Sequence, residues 1–346
     1  MLDAYSLSEL LKPYLEPRLV SNLEFLLLFL LMMLVMNALG VSGLLSSLGR
    51  KIVNRAGTER KLAQMLCLLV FFTAALVTND VALLGIVPLT IMVGVISRVD
   101  VVKLGIFEGI AANSGSLLTP FGNPQNIFIS IAYNIPLGEF LWGMLPLWLA
   151  SLGLLVLFVH FQFGNKKLHH VKEKGVHRDS AILGLAALCV IILYFGRVLP
   201  TVVVAPVVVI LLIATRKTHL IWKKLDLKLY LVFVLMAFVT YLALKVYTLQ
   251  LSGGPLFFGS IALSQAISNV PAAFILSGAA DWRILALGVN IGGSGTLVSS
   301  MATVIAYRLI KRYDSRASIW AFMKWGALFC IILTAIFAPL TLLAGL

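Results

Sequence analysis

Asn113-Ser114-Gly115-Ser116-Leu117-Leu118-Thr119-Pro120-Phe121-Gly122-Asn123-Pro124-Gln125-Asn126 is the stretch on which the reading of this chain turns. It is polar and rich in Gly and Pro, so it cannot be one uninterrupted helix. Yet the segment around it, residues 104–133, is otherwise apolar enough to cross a membrane. Lipid offers no partners to free N–H and C=O groups, so broken backbone at that depth must be buried in protein or line a wet cavity. The stretch is therefore a first candidate for a binding site.

Composition sets the class. Only 12% of the 346 residues are charged and 60% are hydrophobic, with mean hydropathy +1.02. A soluble chain carries roughly twice that share of charge. The expectation is an all-α polytopic membrane protein, embedded in the lipid bilayer. Its net charge of +13 does not point to nucleic acid, because the basic residues lie in short loops between apolar runs. No secretory signal is evident in residues 1–20. Cys67, Cys189 and Cys330 fall in apolar runs without disulfide or metal spacing. His169-His170 is either a metal-binding pair or a solvated loop pair. No cofactor is expected beyond a coupling ion.

The basic residues also orient the chain. Five loops hold 21 of the 27 Lys and Arg: Arg50 to Lys61, Arg98 with Lys103, Lys166 to Arg178, Arg216 to Lys228, and Arg308 to Arg316. Cytoplasmic loops carry such an excess. The short connections at Asn134, Leu199 and Ser252 carry almost none. The basic loops are then cytoplasmic, the C-terminus outside, and the expected location is the inner (cytoplasmic) membrane. For all five loops to share a side, residues 62–97 and 255–280 must each enter and leave on the same side. Residues 255–280 number 26, too few for two crossings of about 17 each. They are predicted to form a re-entrant hairpin with Asn269 at its tip.

An internal repeat extends this to the first half. Thr78-Asn79-Asp80-Val81-Ala82 matches Ser268-Asn269-Val270-Pro271-Ala272, and residues 113–127 align without a gap on 290–304. Asn113 falls on Asn290, Gly115 on Gly292, Thr119 on Thr296 and Asn126 on Thr303. Two inverted-topology repeats follow, each with a re-entrant hairpin and a broken transmembrane helix. Residues 1–22 are a polar N-terminal stretch. Residues 23–163 form the first repeat, with its hairpin at 62–97 and its broken helix at 104–133. Residues 164–179 are a cytoplasmic basic loop. Residues 180–346 form the second repeat, with its hairpin at 255–280 and its broken helix at 282–307. The alternative for Thr78-Asn79-Asp80 is an ordinary extracellular turn. Paired broken helices at matched places point to a transporter's midplane site.

The chemistry follows from helix ends. Half-helix N-termini suit an anion, and exposed C-terminal carbonyls suit a hard cation. Substrate contact is expected from Thr78, Asn79, Asn123, Ser268, Asn269, Ser299 and Thr303. Cation or proton coupling is expected from Asp80, Asn113, Gly115, Thr119, Asn290, Gly292 and Thr296. Asn79, Asn113, Asn269 and Asn290 have helix capping as their alternative. The glycines serve equally for close helix packing. Asp80 either carries a proton, helps hold a cation, or is a tip residue in water. Glu108 is expected to pair with Lys103 near the interface. Lys245 either snorkels or neutralises an anion in transit, and Asn37 bonds a neighbouring helix.

These four motifs, in this order, resemble the ion transporter superfamily. It groups citrate and dicarboxylate permeases, arsenite efflux membrane subunits and related sodium–proton antiporters. The resemblance implies a citrate transporter-like secondary transporter working by alternating access. It also implies a small anionic solute as partner, sodium at the Asn113 and Asn290 regions or H+ as coupling ion, and a homodimer. Neither tip reads Ser-Asn-Thr as in the dicarboxylate branch; the acid in Thr78-Asn79-Asp80 looks more like the arsenite-efflux branch. Before its hairpin the first half has one span where the second has three. Either early spans are missing or residues 1–22 lie on the outer surface. A membrane enzyme would need a catalytic set, and none appears: Gly292-Gly293-Ser294-Gly295-Thr296 lacks the Lys of a phosphate-binding loop. A channel is the third class.

Overall fold

The computed structural model describes residues 17–44, 55–97, 99–167, 178–246, 251–279 and 281–344. His169, His170, Arg50, Lys51, Lys172 and Lys174 lie outside the described residues, as does most of the N-terminal stretch; the Lys245 side chain is likewise not described. Among the described residues there are fifteen helices and no strand. In the first half these are α1 (Pro17–Ser42), α2 (Glu59–Leu76), α3 (Asn79–Ser97), α4 (Val101–Ser116), α5 (Pro124–Ala132) and α6 (Leu137–Gln162). In the second they are α7 (Arg178–Phe195), α8 (Thr201–Ala214), α9 (Thr218–Lys223), α10 (Leu227–Val246), α11 (Gly253–Ile267), α12 (Asn269–Ile275), α13 (Trp282–Gly292), α14 (Met301–Tyr313) and α15 (Ile319–Ala344).

Residues 19–42, 137–162, 178–195 and 319–339 are long and apolar enough to cross a membrane. The outward faces of these helices and of α8 and α10 expose Trp142, Phe161, Ile182, Ile210, Leu231, Leu235, Trp320 and Ile331. Such a continuous apolar surface suits lipid, not water. This is the all-helical architecture expected of a polytopic membrane protein.

Helix ends follow local chemistry. Asn123 caps α5, its Oδ1 accepting from Asn126 N at 3.0 Å, and Pro124 supplies the preset φ of a first helical turn. Asp100 caps α4 through Lys103 N, and Asp281 caps α13 through Arg283 N. Helix α1 starts at Pro17, so residues 17–22 of the polar N-terminal stretch are helical. It packs against α7, α8, α9 and α10 of the second half. Three polar groups fix it there: Asn22 Nδ2 donates to Ala237 O at 3.0 Å, Asn37 Nδ2 to Ile221 O at 3.2 Å, and Glu24 Oε1 accepts from Thr201 Oγ1. Asn37 thus bonds a neighbouring helix as its sequence position suggests.

The halves interlock. Helix α14 packs on α3 and α4, while α5 packs on α12 and α13. Each half's second broken-helix piece therefore sits against the second arm of the other half's pair and against its first broken-helix piece. Small residues permit the approach: Gly105 and Gly109 of α4 face Ile310 and Ala306 of α14. On the other side Phe128 of α5 stacks on Phe274 of α12 with ring centroids 3.7 Å apart.

Candidate functional site

Two turns end against two breaks. Helices α2 and α3 meet at Val77-Thr78, and α11 and α12 meet at Ser268. The break between α4 and α5 covers residues 117–123, and that between α13 and α14 covers 293–300. At each turn the Asn backbone N–H donates into the break of its own half. Asn79 N bonds Gly122 O at 3.2 Å, and Asn269 N bonds Ser299 O at 3.0 Å. The register that sets Asn113 on Asn290 also sets Gly122 on Ser299. Likewise Thr119 Oγ1 donates to Ala75 O at 2.8 Å, and Thr296 Oγ1 to Gln265 O at 3.4 Å. Ala75 and Gln265 are matched by the register that sets Asn79 on Asn269. The sequence repeat is thus mirrored in both of these bonds.

Between the halves the bonding is crossed. Asn113 Oδ1 accepts from Ser300 Oγ at 2.8 Å, and its Nδ2 donates to Thr303 Oγ1 at 3.0 Å and Gly293 O at 3.2 Å. Asn290 Oδ1 accepts from Asn123 Nδ2 at 3.1 Å, and its Nδ2 donates to Asn126 Oδ1 at 2.8 Å. Asn79 Nδ2 joins the first group through Asn113 Oδ1 at 3.4 Å. Asn269 lies against Gly293, where its amide occupies the space a Cβ would need. Asn113 therefore stands between the first residue of α3 and the N-cap of α14. Ser300 gives α14 no side-chain cap bond, since its hydroxyl is turned to Asn113.

Most of the residues singled out from sequence meet here. Asn79, Asn113, Asn123, Ser299, Thr303, Asn269 and Asn290 form one network of amides, hydroxyls and carbonyls, and the Asn side chains are buried. Ser299 Oγ donates to Gly293 O and Thr296 O. Ser268 sits at φ +81°, a conformation a β-substituted residue resists, and its hydroxyl reaches Ser299 O at 3.3 Å. Thr78 contributes its carbonyl to Ala82 N. Asp80 keeps a buried Oδ1 without a hydrogen-bond partner, while its N–H bonds Asn79 Oδ1 at 2.9 Å.

Gly115 and Gly292 act first as packing residues. A Cβ on Gly115 would overlap the Phe71 carbonyl, and one on Gly292 would lie 2.7 Å from Ser264 Cβ. Their carbonyls each already accept a side-chain donor: Trp148 Nε1 at 3.1 Å on Gly115 O, and Gln265 Nε2 at 2.6 Å on Gly292 O. Gly292 O also accepts from Gly295 N at 3.1 Å, so both its lone pairs are used, whereas Gly115 O keeps one.

Sequence reasoning missed several participants. Ser300 is one, although the ungapped alignment places it on Asn123. Gln125 Nε2 joins Asn290 Oδ1 at 3.2 Å. Gln265 and Trp148 carried no sequence signal beyond being polar-tipped residues in apolar runs. The expected pair of Glu108 with Lys103 does not form. Lys103 Nζ turns to Gln162 O at 3.2 Å and lies over the Phe163 ring, whereas Glu108 is 0% exposed and accepts from Thr90 Oγ1. Burial against α3 holds the carboxyl away from the loop side, which a spacing of five residues along a helix already favours.

The arrangement is chemically neutral: amides and hydroxyls ring the helix ends, with Asp80 the acid beside them. Comparison with known proteins agrees in kind. The family model described as "Citrate transporter" matches residues 8–281. The inner membrane protein YbiR of Escherichia coli (strain K12) is 34% identical over 319 residues, 86% of this chain and 83% of that protein. An uncharacterized transporter of Methanocaldococcus jannaschii is 32% identical over 286 residues, 80% of this chain and 77% of its own. A silicon efflux transporter of Oryza sativa subsp. japonica is 30% identical over 118 residues, 34% of this chain and 24% of its own. An all-helical chain with several apolar helices and a match of this extent is a membrane transporter, and it belongs to the citrate transporter family within the ion transporter superfamily.

Proposed function

We propose that the chain is a secondary active transporter that moves a small anion, a carboxylate or an inorganic oxyanion, by alternating access between two inverted repeats. The observation that carries this reading is the crossed bonding of Asn113 and Asn290, each into the other half's break. Any shift of one half against the other must exchange those bonds, and a polar solute with matching acceptors can replace them. In this reading the α2–α3 and α11–α12 pairs are re-entrant hairpins. The ends of α3 and α14 offer backbone N–H groups and positive dipole ends to the anion. Asn79 and Asn269 contact it from the two tips. Na+ beside Asn113 and Asn290, or H+, is the coupling ion. The basic loops face the cytoplasm, and two copies pair in the membrane.

The test is uptake by vesicles containing the purified chain, with labelled citrate, succinate, phosphate and sulfate offered in turn under a proton or sodium gradient. Gradient-driven uptake that Asn79→Ala and Asn269→Ala abolish supports the site. Uptake indifferent to both substitutions sinks it.

A second reading is favoured by Asp80. Its buried, unpartnered Oδ1 lies beside the tip, where a negative charge opposes an anion but accepts hydrogen bonds from a neutral metalloid hydroxide. The partial similarity to a silicon efflux transporter points the same way. Arsenite-like efflux, or sodium–proton antiport, then replaces carboxylate uptake. Arsenite resistance conferred on a sensitive host, and lost in Asp80→Asn, would select it.

A further inference from the structure

Glu108 stands in the middle of α4 and is wholly enclosed. Thr90 Oγ1 of α3 donates to its Oε1 at 2.5 Å, and its Oε2 has no hydrogen-bond partner. No cation meets it from the packed elements among the described residues. Helix α2 brings Cys67, a buried thiol within electrostatic reach of the carboxyl. Its Glu59, Arg60 and Lys61 lie in its first turn, where Arg60 Nε donates to Phe163 O at 2.8 Å and Lys61 is exposed. Beyond Thr90, α3 holds a single titratable residue, Asp80, ten positions away at its other end. Helix α14 faces α4 with Ala306 and Ile310; its Arg308, Lys311 and Arg312 are exposed. His160 on α6 and Lys324 on α15 are exposed too, and Lys103 is bonded elsewhere.

An ionised carboxylate with one donor and no counter-charge is costly at such a place, whereas the neutral acid leaves only an O–H unpaired. Packing does not require the acid. The matched residues of the second half are Leu285 for Glu108 and Ala280 for Thr90. Glu108 is five residues from Asn113, about 7.5 Å along the axis of α4 and on a different face. Helices α3 and α4 are thus tied twice, by Asn79 to Asn113 and by Thr90 to Glu108. Helix α14 of the other half rests on both. Separation of α3 from α4 breaks the two ties together.

We propose that Glu108, held by Thr90, is a proton-binding site that couples proton movement to the transport cycle; this rests on the transporter reading above. As α3 and α4 part, the Oε2–H bond breaks heterolytically. The proton passes to an entering water, and the electron pair stays on the carboxylate. On the opposite side of the cycle a hydronium returns a proton to Oε2. The Thr90–Oε1 hydrogen bond opens as the helices part and re-forms as they close, and Oε2–H is the one covalent bond that changes.

Two measurements on the full chain in phosphatidylethanolamine–phosphatidylglycerol vesicles test this. Infrared spectra at neutral pH should contain the carbonyl band of a desolvated carboxylic acid. Glu108→Gln should remove it, and Thr90→Val should move it to higher frequency by deleting a hydrogen bond. A spectrum without that band, or one that Glu108→Gln leaves unchanged, overturns the proposal. In the same vesicles, with labelled citrate or arsenite as probes, Glu108→Gln should still exchange the probe across the membrane but lose accumulation driven by a proton gradient. Wild-type accumulation in Glu108→Gln overturns the coupling role. Wild-type vesicles that move neither probe overturn the transport reading and this inference with it; an intact band then marks a structural acid.

Discussion

Asn113 and Asn290 make the same bonds with the halves exchanged. Asn113 accepts a hydrogen bond from Ser300 and donates one to Thr303; Asn290 accepts one from Asn123 and donates one to Asn126. Ser300 is matched to Asn123, and Thr303 to Asn126. The crossing means that neither half's break is satisfied by its own half alone. Asn290→Ala and Asn123→Ala should each lower stability by about 1–3 kcal/mol, the cost of stranding buried polar partners. Because those two touch, the double variant should fall short of additivity by about 0.5 kcal/mol or more. Asn37→Ala, whose side chain bonds Ile221 O outside this network, should add with Asn123→Ala. Thermal melts in detergent of the five single and double variants decide it. Additivity throughout would mean that the cross-half bond contributes nothing.

Gly115 predicts a steric result. Its Cα is pressed against the Phe71 carbonyl, so an added methyl must displace backbone, not a flexible side chain. Gly115→Ala should cost about 1–3 kcal/mol or abolish folding. Gly153, in α6 with open space around it, is the control. There Ala should stabilise by up to roughly 1 kcal/mol through helix propensity. A Gly115→Ala protein that melts with the Gly153→Ala variant would show that α2 and α4 do not approach this closely.

Ser268 stores strain at the second turn. A non-glycine residue at φ +81° costs on the order of 1–3 kcal/mol. Its hydroxyl bonds, at 3.3 and 3.4 Å, are long and return little. Ser268→Gly should therefore raise the melting temperature, and Ser268→Val should lower it sharply. If strain at the tip serves the transport cycle, Ser268→Gly will be more stable yet slower in vesicle flux. A variant that is both less stable and unchanged in rate would remove the strain argument.

Much of this was legible in the sequence because apolar runs, basic loops and a repeated polar motif leave strong marks. The break at 117–123 was visible as Gly and Pro inside an apolar segment, and its partner at 293–300 by ungapped alignment. The helix boundaries at Pro124 and Trp282 follow from cap chemistry. Glu108 was misjudged because periodicity reveals which residues share a face but not which helix covers that face. The crossed bonds were invisible for a related reason. Alignment matches Asn113 to Asn290 as equivalents, yet only packing reveals that each bonds the other's neighbours. The placement of α1 among α7–α10 similarly depends on buried contacts of Asn22, Glu24 and Asn37 that no local pattern encodes.

Gln265 and Trp148 give the last prediction. They donate to the carbonyls of Gly292 and Gly115 at the ends of α13 and α4. Gln265 also accepts from Thr296 N at 2.8 Å, so it holds both sides of its break. Its match in the first half is Ala75, and there a tryptophan from α6 does the capping instead. Gln265→Ala should lower stability by about 1–3 kcal/mol, because Thr296 N loses its partner and Gly292 O one of its two donors. It also frees a lone pair on Gly292 O. If Na+ binds this carbonyl, sodium chloride should restore part of the lost melting temperature relative to choline chloride at equal ionic strength. Such a rise reflects binding to the native state. An identical sodium response in wild type and Gln265→Ala would remove Gly292 O from the list of ligands and leave Asn290 and Ser299 as the groups to test. The same comparison on Trp148→Phe examines Gly115, and unequal responses at the two carbonyls would distinguish one coupling-ion site from a matched pair.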